Sequence, residues 1–130
     1  MKKIVLLLLL IVSLSANAQS DIDNKVYFSP DTKVTYRLFK TINMHIFIKL
    51  NTSDGTMKLV QFSTSDARDM MQVNLNDIEL ATGADATSGR FYLYPTENIH
   101  TFLLIDQIDG RVWQTQWSTD PKNCGIMRIY

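Results

Sequence analysis

Residues 91–119 read FYLYPTENIHTFLLIDQIDGRVWQTQWST, and residues 36–64 read YRLFKTINMHIFIKLNTSDGTMKLVQFST. Laid over each other at a spacing of 55, the two stretches need no gap, and 10 of the 29 positions are identical. Ordinary residue frequencies would give roughly two. The identities are Leu38/Leu93, Thr41/Thr96, Asn43/Asn98, His45/His100, Phe47/Phe102, Asp54/Asp109, Gly55/Gly110, Gln61/Gln116, Ser63/Ser118 and Thr64/Thr119. Other pairs keep their character, as in Tyr36/Phe91, Ile48/Leu103, Leu50/Ile105 and Phe62/Trp117. The chain is a tandem duplication.

Inside each copy the pattern is that of β-strands. Met44, Ile46, Ile48 and Leu50 alternate with His45, Phe47 and Lys49, a period of two that predicts a strand with one face in a core. Asp54-Gly55 follows, then a second apolar run over Met57–Ser63. An Asp-Gly pair between two such runs predicts a hairpin, because glycine takes a positive φ without steric cost. Short runs at Val34–Phe39 and Met71–Leu75 complete four predicted strands. The second copy repeats them at Arg90–Tyr94, Ile99–Ile105, Val112–Ser118 and Ile126–Tyr130, its last strand matching after one gap (Val73 with Met127, Leu75 with Ile129). Repeat one thus covers about 36–75 and repeat two about 90–130. The polar linker 76–89 offers at most a helical turn at Asp77–Ala81.

A four-stranded sheet with one apolar face must bury that face, and the duplicate is the obvious partner. The expected fold is all-β: two tandem four-stranded antiparallel repeats, packed as a sandwich or a closed barrel with pseudo-two-fold symmetry. A β-propeller uses blades of this size but needs at least about four of them. Two repeats reach that number only by oligomerisation, the least favoured arrangement.

The first 18 residues stand apart. Lys2 and Lys3 precede an apolar run over Ile4–Leu14, and Ala16-Asn17-Ala18 forms a small-residue cleavage site, so residues 1–18 are expected to be a secretory signal peptide. The run is short of the roughly 20 residues that span a bilayer, and no transmembrane anchor is expected after cleavage. One domain would remain, residues 19–130, exported to the periplasm or the exterior of a bacterial cell. Before Pro30, Val26-Tyr27-Phe28 is a lone apolar island suited to an edge strand. Without Lys2 and Lys3 the 13 basic residues fall to 11 against 13 acidic ones, and none form a basic cluster, so nucleic acid is not an expected partner. Cys124 is the sole cysteine, which excludes an internal disulfide; burial as a small hydrophobe is expected over an intermolecular bridge.

The second copy carries Tyr94-Pro95-Thr96, Asn98, Phe102-Leu103-Leu104, Asp106, Asp109-Gly110-Arg111, Trp113-Gln114 and Gln116-Trp117-Ser118 in order. This resembles a group of small exported bacterial proteins with a tandem "YPT-N…F-L-x-D…DGR-x-WQ-x-QWS" β-repeat. The resemblance covers about Tyr36–Tyr130 and implies the repeat fold but no activity. The first copy departs from the pattern with Lys40 in place of Pro95 and Lys58 in place of Trp113.

Few residues suggest chemistry. His45 and His100 are the only histidines and occupy equivalent positions, which makes them weak metal candidates; zinc needs three or four ligands and no further His or Cys stands at a helping spacing. Asp54 and Asp109 are accounted for as turn residues beside glycine, and no nucleophile-elbow motif is present. No catalytic residue and no cofactor is expected. The aromatic residues are more suggestive. Trp113 and Trp117 share a strand face, as do Tyr92 and Tyr94, and exposed aromatic pairs on a sheet suit flat sugar faces or protein hot spots. Trp117, matching Phe62, is expected in the core, while Trp113 could stand inside or outside. The leading expectation is a non-catalytic binding protein of the bacterial envelope with a protein partner. The alternative is a glycan-binding module using Trp113 with Tyr92 or Tyr94, and a His- or metal-dependent hydrolase comes third.

Overall fold

Both Asp-Gly pairs close hairpins, in the same way. In a computed structural model that describes residues 33–130, Gly55 and Gly110 have φ near +80°. Each glycine donates its N–H to the carbonyl four residues back, on Asn51 and on Asp106. The carboxylates fold back onto the chain: Asp54 Oδ1 accepts from the N–H of Thr56, and Asp109 Oδ1 from that of Arg111. The expected signal peptide and the Val26–Phe28 island lie outside the described residues.

Among the described residues, eight strands follow the duplicated pattern: β1 (Tyr36–Lys40), β2 (Ile46–Asn51), β3 (Met57–Gln61), β4 (Met71–Asn76), β5 (Phe91–Pro95), β6 (Thr101–Asp106), β7 (Val112–Gln116) and β8 (Gly125–Ile129). They form two antiparallel meanders, β1-β2-β3-β4 and β5-β6-β7-β8. The registers agree except at Met57, where a β-bulge in the first copy sets Met57 opposite Asn76. Ile48 faces Phe39 and Leu59; Leu103 faces Tyr94 and Gln114. Val73 faces Leu59 as Met127 faces Gln114, which is the one-residue gap expected between the fourth strands. The sheets do not hydrogen-bond into a closed cylinder, so the sandwich form of the expected fold holds and the barrel form does not. Among the described residues, three single-turn 3₁₀ helices sit in loops at Ala67–Asp69, Gly83–Asp85 and Pro121–Asn123. The linker's turn therefore falls at 83–85, beyond the predicted 77–81.

The turn ahead of the second strand explains two further identities. Thr41 and Thr96 each donate a hydroxyl to the carbonyl five residues on, at 2.7 Å in both copies. Asn43 and Asn98 each accept the N–H of the following histidine's backbone. The Thr and Asn of the "YPT-N" motif are thus braces for a tight connection.

One core joins the two sheets, but they do not contribute equivalent faces to it. The first sheet buries Phe39, Ile46, Ile48, Leu50, Met57 and Leu59. The positions 55 residues later in the second sheet are Tyr94, Thr101, Leu103, Ile105, Val112 and Gln114, and none of them is fully buried. The second sheet instead buries Phe91, Leu93, Phe102, Leu104, Trp113 and Thr115, whose counterparts Tyr36, Leu38, Phe47, Lys49, Lys58 and Val60 lie on the outer side of the first sheet. A two-fold axis between facing sheets would bring the same face of each repeat to the interface. The expected pseudo-two-fold symmetry is therefore corrected: the repeats stack head to tail, the Ile48 side of one on the Phe102 side of the other. The duplication kept strand order and register, while burial followed opposite sides of the pleat.

Polar pins hold the stacked sheets together at the linker end. Thr52 is fully buried; its hydroxyl donates to the Val34 carbonyl at 2.6 Å and accepts the Gly89 N–H at 2.9 Å. Its carbonyl accepts from Phe91 at 2.8 Å, so the end of the first hairpin is tied to the start of β5. The linker returns over the first turn, where Leu80 donates to the Asp54 carbonyl at 2.7 Å.

Candidate interaction surfaces

The predicted aromatic site is taken apart by the stacking. Trp113 alternates into the interface between the sheets and is only 6 % exposed. It touches Phe91, with ring centroids 6.1 Å apart, and the guanidinium carbons of Arg111 and Arg128 each lie 5.1 Å from its ring. Tyr94 points to the opposite, outer side of the second sheet and is exposed. Tyr92 alternates to the same side as Tyr94 but leans over the sheet edge: it meets Phe39 edge-on at 5.4 Å and Tyr94 at 4.8 Å. No single ligand face can contain Trp113 with either tyrosine. A glycan platform built on Trp113 is therefore not present in this fold, because an indole must offer its flat face to stack on a sugar. Trp117 is buried as expected, its indole N–H donating to the Ile99 carbonyl at 2.9 Å, whereas its counterpart Phe62 is exposed.

The duplicated histidines serve their own repeats. His45 packs on Phe62 at 5.1 Å and His100 on Trp117 at 5.0 Å, equivalent contacts 17 residues apart in each copy. His100 Nδ1 also lies 3.3 Å from the Trp117 carbonyl. Among the described residues, no group of three or more His, Cys, Asp or Glu is placed to share a metal ion. Cys124 is half-buried rather than buried: its sulfur accepts the Ser118 N–H at 3.2 Å and its thiol reaches the Ser118 carbonyl at 3.3 Å.

The strongest electrostatic cluster is one that sequence reasoning missed. Asp106, fully buried at the end of β6, takes hydrogen bonds from Arg90 Nε at 3.0 Å and Nη2 at 2.8 Å, and from Arg111 Nη2 at 3.0 Å. The backbone N–H of Ile108 adds another at 3.0 Å. Burial pushes the carboxyl up, but the two guanidinium groups and the backbone donors outweigh it and hold Asp106 well below the usual carboxylate range. Arg111 also donates to the Leu80 carbonyl and Arg90 to the Asp85 carbonyl, so the cluster fastens the linker to the second sheet. In the first copy the equivalent Asn51 side chain bonds only within its own turn, donating to Asp54 Oδ2 and accepting from Ser53. Every oxygen of Asp106 is committed to structure, which leaves it no opening for chemistry.

Two sheet faces remain uncovered by any described residue. The outer side of the second sheet presents Tyr94, Leu103, Ile105, Val112, Met127 and Ile129, with Thr101, Gln114 and Gln116 as polar interruptions toward one end. The outer side of the first presents Tyr36, Leu38, Phe47, Val60 and Phe62 among Lys40, Lys49, Lys58, Gln72 and Asn74. A groove of about 580 Å³ runs across this second surface, lined by Tyr36, Lys49, Lys58 and Asn74 among others. Part of the signal for these faces was in the sequence. Phe102-Leu103-Leu104-Ile105 is continuously apolar, the mark of a strand covered on both sides rather than one. No protein-family model, curated protein or solved structure matches the chain.

Proposed function

We propose that this chain is an exported, non-catalytic interaction protein of the bacterial envelope, and that it works through the outer face of the second sheet. The observation that carries this reading is the composition of that face. An antiparallel sheet that meets water on one side normally alternates to polar residues there. This one keeps Leu103, Ile105, Val112, Met127 and Ile129, with Tyr94 at its edge. A contiguous apolar surface of this kind marks a docking site, and Tyr94 at its edge is of a residue type enriched at protein hot spots. The position of Tyr92 and Tyr94 leaves a narrower glycan reading, without Trp113. The aliphatic majority of the face favours protein.

The test is capture from envelope extract on immobilised protein, wild type against Leu103→Lys. Retention of a defined protein by the wild type and its loss in the variant are expected. Equal retention by both, or none by either, sinks the reading. Titration with oligosaccharides, read by tyrosine fluorescence, separates the glycan alternative.

A further inference from the structure

We infer that the partner of the uncovered second-sheet face is another copy of this chain, which docks the outer side of its first sheet there and repeats between molecules the packing made within each one. The inference rests on the reading of that face as an interaction surface and supplies its occupant.

The reasoning starts from the face correction. A head-to-tail contact joins two different surfaces, so it consumes one of each and leaves one of each. Within the chain, the Ile48 side of the first repeat meets the Phe102 side of the second. What stays uncovered is the Leu103 side of the second repeat and the Phe47 side of the first, which are the same two surfaces in duplicate form. Their residues correspond closely. Tyr94, Leu103, Ile105 and Val112 stand where the buried first-sheet face has Phe39, Ile48, Leu50 and Met57. Tyr36, Leu38, Phe47 and Phe62 stand where the buried second-sheet face has Phe91, Leu93, Phe102 and Trp117. Leu38 is 53 % exposed where its identical twin Leu93 is 0 %; Leu103 is 36 % exposed where Ile48 is 0 %. Each molecule thus carries both halves of an interface that it has already formed once. The unbroken apolar run Phe102–Ile105 independently calls for cover on the second side of β6.

The first-sheet surface departs from its twin in Lys40, Lys49 and Lys58, which replace Pro95, Leu104 and Trp113. Lys49 is already turned aside: its ammonium bonds Gln72 Oε1 at 2.6 Å and lies 5.8 Å from the centre of the Tyr36 ring. Lysine stems cover apolar surface while their heads stay in water. The groove beside them is the space that the second repeat fills with an indole. Three charges at this surface weaken the contact relative to the one within the chain, so the assembly forms and dissociates with concentration. Repetition of a heterologous contact gives a ring if the rotation closes and a filament if it does not.

Sedimentation velocity on the chain from Gln19, between about 1 μM and about 1 mM, covers the range of weak specific contacts. The expected result is an average mass that climbs past two chains. Leu38→Lys and Leu103→Lys each block one surface, and each alone is expected to stay monomeric. An equimolar mixture is expected to recover one interface and stop at two chains, because every molecule then has one blocked end. Thermal midpoints matched to wild type verify folding, and Met127→Lys replaces Leu103→Lys if that variant unfolds. A wild type monomeric throughout overturns the inference. So does a Leu38→Lys variant that still dimerises while Leu103→Lys does not, which would mean a two-fold pairing of second-sheet faces, and so does a mixture that fails to pair. A monomeric wild type whose envelope partner is still lost in Leu103→Lys would overturn self-stacking and leave the interaction reading standing.

Discussion

Leu38 and Leu93 are the same residue at the same position of two copies of one motif, yet Leu93 is sealed between the sheets while Leu38 stands more than half exposed. Strand position and register correspond, but Leu38 lies opposite Lys49 where Leu93 lies opposite Leu104, so the exposed twin sits on the more polar of the two faces. The difference in burial makes the two leucines a direct probe of which face each sheet buries. Leu93→Ala is expected to cost about 2–5 kcal/mol, the range for a core leucine truncated to alanine. Leu38→Ala in the dilute monomer is expected to stay within about 0.5 kcal/mol, as surface changes do. Urea denaturation at low concentration measures both. Equal costs would contradict the head-to-tail stacking.

The Asp106 cluster predicts an acid-sensitive component of stability. Its folded carboxyl titrates below the unfolded one. The contribution is therefore fully present above the unfolded value of about 4 and is lost as the pH falls through that value toward the depressed folded one. Asp106→Ala, which leaves Arg90 and Arg111 facing a void, is expected to cost about 3 kcal/mol or more at neutral pH. Asp106→Asn borrows the first copy's Asn51 and is expected to cost less. In both variants the fall in thermal midpoint between pH 5 and pH 3 should be shallower than in wild type by this site's share. An unchanged acid slope would rule the cluster out as its source.

Trp113 is expected to behave as a core residue. Trp113→Ala should destabilise by about 3–5 kcal/mol, the range for a buried aromatic. Iodide should quench the two indoles poorly in the native protein and readily in urea, since neither Trp113 nor Trp117 reaches solvent. Ready quenching of a native indole would place Trp113 outside the interface and restore the sugar platform.

The two hairpin glycines should respond differently to the same change. Gly55 and Gly110 both need a positive φ, which costs an L-residue about 1–2 kcal/mol. A methyl added at Gly110 would meet open space, but one at Gly55 would lie 2.8 Å from Leu80 Cδ1. Gly110→Ala is expected to cost only the backbone term, and Gly55→Ala to exceed it by the displacement of Leu80 from the first turn. Thermal melts of the two variants make the comparison. A larger loss at Gly110 would mean that the linker does not close over that turn.

Much of the fold was legible residue by residue. The alternation over Ile46–Leu50 located β2, the two Asp-Gly pairs located both central hairpins, and the shared Thr and Asn of each copy marked the turn ahead of the second strand. Strand ends moved by a residue or two, and Met44 fell into a turn, because an apolar residue that joins a pattern need not join the ladder. The candidate site was less legible. Tyr94 proved exposed, but Trp113 lay across the sheet from it. The cluster around Asp106 was not legible because Arg90 reaches it from a separate segment, 16 residues earlier, although Asp106 and Arg111 share one hairpin.

The division has a physical cause. What the chain determined by itself is local: a period of two, turn glycines, and an internal copy that forces the same hairpins to form twice with the same register. A period of two shows that a strand has two sides, and says which is buried only when one side is polar. Here both sides carry apolar residues in both copies, with Phe47 and Phe102 opposite Ile48 and Leu103. In the first copy Lys49 and Lys58 mark the Phe47 side as outer; in the second, either side of β6 could have turned inward. The choice fell to tertiary packing, where Thr52 ties the first hairpin to β5 and the Asp106 cluster draws the linker onto the second sheet. Those contacts set opposite sides of the two repeats against each other, buried Trp113, and left Leu38 and Leu103 in water.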